Sequence, residues 1–558
     1  METKSCQFCK KNFTLGADDF AFFEKLQVPP PTWCTECRLI RRLSWRNERS
    51  LYKRKCGLCV ADIIAMYSPD GPFQVYCPPC FYSDKWDPTT YGREYDFSRP
   101  FFVQLQELQH AIPHIALLQG TMVNSPWCNY ELEDKNCYLN FGGQYNEDGA
   151  YSQYSHKTKE VLDSYWLQNG ELGYESMLSD GFYKLFYSRL CYGCQDTYFS
   201  FDCKNCSNIF GCSGLRSKEY CIYNQQITKA EFEKFMQDYW TGSYTKLAQL
   251  IKDTNAFWQA QPQRALLANK SVASTGSLLD EAKNCTGCVL ANKVEDSKNL
   301  LFAIEVKDSM DVTSVWGGEL LYDCLGGSGP LGNNKFSFGM IENCMNVEYS
   351  CFVSSTQYSF GSFNLKRKEY CILNKQYAKE EYVALHEKII QHMNEMPYVD
   401  SAGRVYKYGE FLPMDVSPFG YNETVAQEYF PLTREEAGSR GLAWHEAETG
   451  SHQFSEYQIP DNINDIADDI LDKVLKCEAS GKAYRLTPQE LAFYRRFNLP
   501  VPRLSSFERH KQRLKFIAGQ LKSYTRTCGK CQREIGSVYS EIEFPKVYCE
   551  ECYLSEIA

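Results

Sequence analysis

Cysteine spacing carries the clearest chemistry in this chain. Cys6-x-x-Cys9 and Cys34-x-x-Cys37 are followed by Cys56-x-x-Cys59 and Cys77-x-x-Cys80, and near the C-terminus by Cys528-x-x-Cys531 and Cys549-x-x-Cys552. Two such knuckles can place four thiolates at the corners of a tetrahedron, about 2.3 Å from a zinc ion. With cysteine at all four corners no position is left for water. The expected role is therefore structural rather than catalytic, and the expected cofactor is Zn2+ at three sites. No run reaches about 18 apolar residues and the first residues lack the apolar core of a signal peptide, so the reading is a cytoplasmic protein without a membrane segment, its thiols reduced.

Comparing the chain with itself decides which pairs share a metal. At an offset of 471, Cys6, Phe13, Leu15, Pro29, Pro31, Arg38 and Arg42 match Cys477, Tyr484, Leu486, Pro500, Pro502, Arg509 and Arg513; at 472, Cys56, Cys59, Cys77 and Cys80 match the last four cysteines. The C-terminal module is thus a second copy of the N-terminal one. In that copy Cys9, Cys34 and Cys37 have become Ser480, Ser505 and Glu508, so one site is lost as a block and the other kept as a block. Sequential sites predict that outcome, whereas interleaved sites would each have lost half their ligands.

The elements that position these ligands should include a basic helix in each module. Arg38, Arg41, Arg42, Arg46 and Arg49 recur around a leucine seam in the first copy, and Arg509, Lys511, Arg513 and Lys515 keep the positive character in the second. The chain as a whole carries −10, but the stretches 38–55 and 495–526 carry +7 and +8, leaving −25 for the rest. One reading is a phosphate-contacting surface for RNA, DNA or a ribonucleoprotein. The other is a set of cations paired with the acidic middle of the same chain.

That middle, about 122–386, is rich in Cys, Tyr, Asn, Ser and Gly and shows no helical period. Cys128 and Cys137 are nine apart, as are Cys194, Cys203, Cys212 and Cys221, and asparagine precedes an inward-type cysteine at Asn136, Asn284 and Asn343. Short stacked strands with a small residue turned inward at a fixed place give this pattern, a β-solenoid with cysteines as packing residues. Cys191/Cys194, Cys203/Cys206 and Cys285/Cys288 are read the same way, as inward thiols rather than ligands. At an offset of 150, Lys218-Glu219-Tyr220-Cys221-Ile222 matches Lys368-Glu369-Tyr370-Cys371-Ile372, so the solenoid is doubled. Each half runs into a closing helix, the first with a capping box at Thr228-x-x-Glu231. His110 and His114 flank a proline, and His445, Glu446, Glu448 and His452 lie in a polar stretch, so neither set makes a clean ligand or catalytic constellation. A solenoid groove is nonetheless a site that polymer-cleaving enzymes use.

The expected organisation is mixed and mainly β. A double zinc module with a basic helix spans 1–95, the solenoid halves 122–258 and 270–396, an aromatic and Pro-rich connector 397–470, and the zinc-module copy with one site lost 471–558. The connector is expected to pack along the solenoid and to enter the last module through an acidic helix (Asp461, Asp465, Asp468, Asp469, Asp472).

Several longer motifs add to this. Val28-Pro29-Pro30-Pro31-Thr32-Trp33-Cys34 with Arg41-Arg42-Leu43-x-x-Arg46-Asn47-Glu48-Arg49, Ser83-Asp84-Lys85-Trp86-Asp87-Pro88, Ser417-Pro418-Phe419-Gly420-Tyr421-Asn422-Glu423-Thr424 and the final Tyr548-Cys549-Glu550-Glu551-Cys552 resemble an uncharacterised family of zinc-ribbon, cysteine-rich repeat proteins from candidate-phyla (Patescibacteria-type) bacteria. The resemblance covers nearly the whole chain, implies the zinc and solenoid architecture, and brings no activity with it. The leading expectation is a non-catalytic, zinc-stabilised scaffold that contacts nucleic acid or a ribonucleoprotein through its basic helices. Two alternatives stand beside it, an enzyme working on a polymer or small molecule in the solenoid groove and a scaffold for protein partners alone.

Overall fold

The computed structural model describes residues 1–316, 321–326, 332–340, 342–446 and 453–557. The chain is mixed α/β, with many short strands and, among the described residues, twelve α-helices. It divides into two compact units that interleave along the sequence, one of Met1–Leu118 with Leu267–Glu446 and the other of Gln119–Leu266 with Ala447–Ala558.

In the second unit, strands from His156–Leu162 to Glu219–Ile222 pair in parallel, and each residue's partner lies twelve positions on: Gln195 with Ser207, Thr197 with Ile209, Ile209 with Cys221. Isolated parallel bridges extend the same register back to Gln119. The backbone explains the number. From Tyr130 to Tyr223 every third residue has a positive φ, so the chain bends at three-residue intervals and four edges make one repeat of twelve. The residue after most bends points inward; it is commonly small or apolar, as at Cys137, Ser152, Val161, Ser176 and Cys203, and polar in the first turns at Glu131, Asp134, Asn140 and Asn146, all at most 2% exposed. Asparagine tolerates the left-handed region better than most residues, which is why Asn136, Asn284 and Asn343 (φ 53, 54 and 49°) precede inward cysteines. The nine-residue cysteine spacing is thus three edges of a four-edge repeat and not the repeat itself. An inward residue nine positions on sits one edge short of vertical alignment.

Serines satisfy part of the polar interior. Ser164, Ser176, Ser188 and Ser200 each donate the hydroxyl to the carbonyl two residues back, at 2.9 to 3.0 Å. Each Oγ of Ser152, Ser164, Ser176 and Ser188 accepts the backbone N–H twelve residues on, at 3.0 to 3.3 Å. A column of aromatic residues outside the ladder, including Tyr174, Phe186 and Tyr198, is covered by Trp240, Phe493 and Phe497 from flanking helices. The first closing helix, Lys229–Tyr239, starts at the expected capping box.

The first unit repeats the plan in residues 268–372. Its first step is eleven residues, Ala268 to Leu279 and Val272 to Lys283, and the twelve-residue register holds from Gly276 to Trp316. Single-residue insertions lengthen the step to thirteen at Tyr322 to Lys335 and Phe338 to Cys351, and the register returns to twelve at Cys351 to Phe363. Leu279, Cys285, Cys288, Val294, Cys324, Cys344 and Cys371 fill its core. The acidic stretch entering the last module forms two short 3-10 turns, Ile463–Asp465 and Asp468–Asp472, rather than a helix.

Candidate metal centres

Each cysteine pair sits on a local structure that aims it. After Cys9, Cys59 and Cys531 the chain takes a left-handed residue, Lys10, Val60 and Gln532, and that residue's N–H returns to the carbonyl of Cys6, Cys56 or Cys528 at 3.0 Å. The tight turn points both thiols to one side. The second pair of each set lies at a helix start. Cys34 caps Thr35–Leu43, Cys77 caps Pro78–Phe81, and Cys549 precedes Glu550–Ile557. The N–H of Cys34, Cys77 and Cys549 donates across to the sulfur of Cys6, Cys56 and Cys528 at 3.3, 3.4 and 3.3 Å, tying knuckle to helix.

The structure gathers Cys6, Cys9, Cys34 and Cys37; Cys56, Cys59, Cys77 and Cys80; and Cys528, Cys531, Cys549 and Cys552, all four sulfurs of each group lying within 4.8 Å of one another. Cys9 and Cys34 are 3.8 Å apart, Cys59 and Cys77 3.9 Å, Cys531 and Cys549 3.8 Å. Thiolates held tetrahedrally at about 2.3 Å would stand about 3.8 Å apart, so the donor sets fit a single metal ion without rearrangement. Although burial opposes it, N–H donation from Cys59, Cys77 and Leu58 lowers the Cys56 thiol to about 6, and Cys528 is lowered to about 6 by the same arrangement. Arg533 adds a cation to the C-terminal group, donating to the sulfurs of Cys531 and Cys549 at 3.5 and 3.3 Å. Only its two-residue distance from Cys531 hints at this role in the sequence.

The lost site keeps its frame. Gly481 supplies the left-handed residue (φ 68°), its N–H reaches the Cys477 carbonyl at 2.9 Å, and Ser505 donates its N–H to the Cys477 sulfur at 3.3 Å. Ser505 also caps Ser506–Gln520 with its hydroxyl. A hydrogen-bonded knuckle thus persists where the ligands have gone.

The basic residues are placed differently from a phosphate-binding surface. Arg38, Arg41 and Arg42 are at most 2% exposed. Arg38 Nε meets Asp311 at 2.5 Å; Arg41 meets Asp323 and Glu410, both at 2.6 Å; and Arg42 meets Asp323 at 2.7 Å. Arg41 also stacks on Trp33 at 4.6 Å. Burial works against these cations, but Asp311 and Asp323 hold Arg38 ionised, and Glu410 and Asp323 do so for Arg41. The helix ends at Leu43, so Arg46 and Arg49 lie beyond it rather than on its face. Arg46 is buried and pairs with Glu48 at 2.5 Å, and Arg49 is half-buried.

The second copy docks the same way. Arg509 pairs with Asp163 at 2.8 Å and Glu490 at 3.3 Å, while Arg513 pairs with Asp163 at 3.2 Å and Glu175 at 2.9 Å. Lys511 and Lys515 are exposed, Lys511 beside Glu508 at 3.2 Å. In each unit two arginines one helical turn apart, a rise of about 6 Å, face carboxylates twelve residues apart at bends of successive repeats, whose paired strands stand about 4.8 Å apart. A phosphate could reach Arg38, Arg41, Arg42, Arg509 or Arg513 only by opening these pairs. Those five are therefore corrected from candidate surface residues to internal clamps.

Among the described residues the remaining cysteine candidates gather no further metal site. Cys191, Cys194, Cys203, Cys206, Cys285 and Cys288 are inward and at most 2% exposed, and the thiols of Cys191 and Cys206 donate to backbone carbonyls at 3.4 and 3.3 Å. His114 is buried against Tyr67 and Phe73, and Glu448 and His452 lie outside the described residues. No helix among the described residues is long and apolar enough to cross a membrane.

No family model matches the sequence, and no curated protein matches it. Among solved structures, one described as a presumed acetyltransferase from Desulfovibrio desulfuricans G20 aligns over 51% of this chain and 86% of its own, at 9% identity and a TM-score of 0.10. A likeness of that size carries no argument about fold or function.

Proposed function

We propose that this chain is a non-catalytic scaffold for protein partners, built from two β-solenoid segments, each locked to a zinc module. The twelve-residue parallel register supports reading the ladders as solenoid coils, and the four-cysteine groups suit zinc, which prefers tetrahedral thiolate sites. The observation that carries the functional reading is the internal neutralisation of the arginines. The cations that suggested a nucleic-acid surface instead fasten module to ladder, and the modules serve as structural clamps on a repeat surface. Such a surface suits partner binding, because repeated edges present a long, regular face.

Two measurements test this. Metal analysis of the purified chain should give about three zinc ions, and chelation should unfold the modules. In vivo crosslinking and mass spectrometry should recover proteins attached at solenoid surface lysines, with no salt-dependent retention of the pure protein on heparin. Salt-dependent heparin or RNA binding that falls in a Lys511→Glu/Lys515→Glu variant would overturn the protein-only reading.

A further inference from the structure

The second unit contains an arginine that module docking does not use. Arg189 stands in a vertical column with Met177 and Phe201. Its guanidinium lies 5.0 Å from the Phe516 ring and 5.9 Å from the Trp258 ring. Unlike Arg509 and Arg513 beside it, it forms no ion pair among the described residues. The matching position of the first unit is Phe338, one step on from Leu325 as Arg189 is from Met177. Phe338 is 2% exposed and packs on Phe352 at 4.9 Å. The fold therefore does not need a cation there.

Arg189 borders a cavity of about 230 Å³ that Trp258, Tyr244, Arg503, Arg513 and Glu175 also line. Arg503 stacks on Tyr244 at 4.7 Å, and its ion-pair contact is a distant 3.9 Å to the exposed Glu478. The Nε of Arg513 is buried without a hydrogen-bond partner. Glu175 is the one carboxylate lining the cavity, and Arg513 already holds it at 2.9 Å. Burial lowers the Arg189 pKa, with Glu175 and Tyr539 opposing, as expected for a cation short of a counter-charge.

We propose that this cavity binds a small aromatic anion, its charged group held by Arg189 and Arg503 and its ring by Trp258 and Tyr244. Guanidinium forks match carboxylate and phosphate geometry, and aromatic walls favour a flat ring. The volume admits a single ring with its substituent.

The test is calorimetric titration of the full-length, metal-loaded protein with phenyl phosphate, benzoate and inorganic phosphate. Phenyl phosphate or benzoate should saturate at one per chain, and the better of the two names the charged group. Arg189→Met should weaken that binding about tenfold or more. Arg503→Gln, at a more open position, should weaken it several-fold and serves as the deciding variant if Arg189→Met fails to fold by circular dichroism. Absence of saturable binding by both aromatic anions, binding unchanged in the folded variants, or inorganic phosphate binding as well as phenyl phosphate would each overturn the assignment.

Discussion

At the residue scale the decisive groups are buried ions. Asp323 holds Arg41 and Arg42 at 2.6 and 2.7 Å, and its own side chain is fully buried. Asp323→Asn should therefore cost about 3 to 5 kcal/mol in denaturant unfolding, because it removes the carboxylate two desolvated guanidinium groups share, leaving Arg41 with Glu410 alone and Arg42 with only Asp311 at 3.8 Å. Asp163→Asn should do the same through Arg509 and Arg513. A second residue-scale effect is acid sensitivity. Burial lowers His114 to about 4, with the Gln109 carbonyl opposing. An unfolded histidine titrates near 6.5, so between pH 6.5 and 4 the unfolded chain binds the extra proton. Stability contributed by the neutral ring is complete above pH 6.5 and is lost as pH falls toward 4, on the order of 3 kcal/mol in all. His114→Gln should flatten that part of the pH–stability curve measured by urea unfolding.

At the scale of elements, the knuckles were the most legible part of the chain. Cys-x-x-Cys is a local device, made by one left-handed residue and one returning hydrogen bond, so sequence spacing is enough to reveal it. Cys549→Ser should lower the metal content from about three ions to about two, because a tetrahedral thiolate site missing one corner binds far more weakly. The serine ladder was not legible, since its partners are twelve residues apart and no local rule links them. Ser176 both donates to the Tyr174 carbonyl and accepts the Ser188 N–H at 3.1 Å. Ser176→Ala should cost about 1 to 3 kcal/mol by leaving that N–H unpaired. Ser176→Cys should cost less, since the Cys212 sulfur accepts the Asn224 N–H in the same way at 3.5 Å. Thermal unfolding of the two variants separates these cases.

At the scale of the whole molecule, the chain is duplicated and then exchanged. The N-terminal module clamps the ladder of residues 268–372, and the C-terminal module clamps the earlier ladder of residues 119–222. A fragment of 1–266 keeps Arg38, Arg41 and Arg42 without Asp311, Asp323 and Glu410, and a fragment of 267–558 keeps Arg509 and Arg513 without Asp163. Each fragment alone should be insoluble or unfolded by circular dichroism, and co-expression should give a soluble complex of the two. Sequence by itself determined the three four-cysteine sets, the lost fourth, the duplication and the inward thiols, because knuckles, repeats and small buried residues are written in local spacing. It misjudged the arginines. A run of cations has the same spacing whether it faces solvent or a carboxylate column nearly three hundred residues away. Only the tertiary structure, by setting a twelve-residue strand register against one turn of helix, decided that these charges hold the molecule together from within.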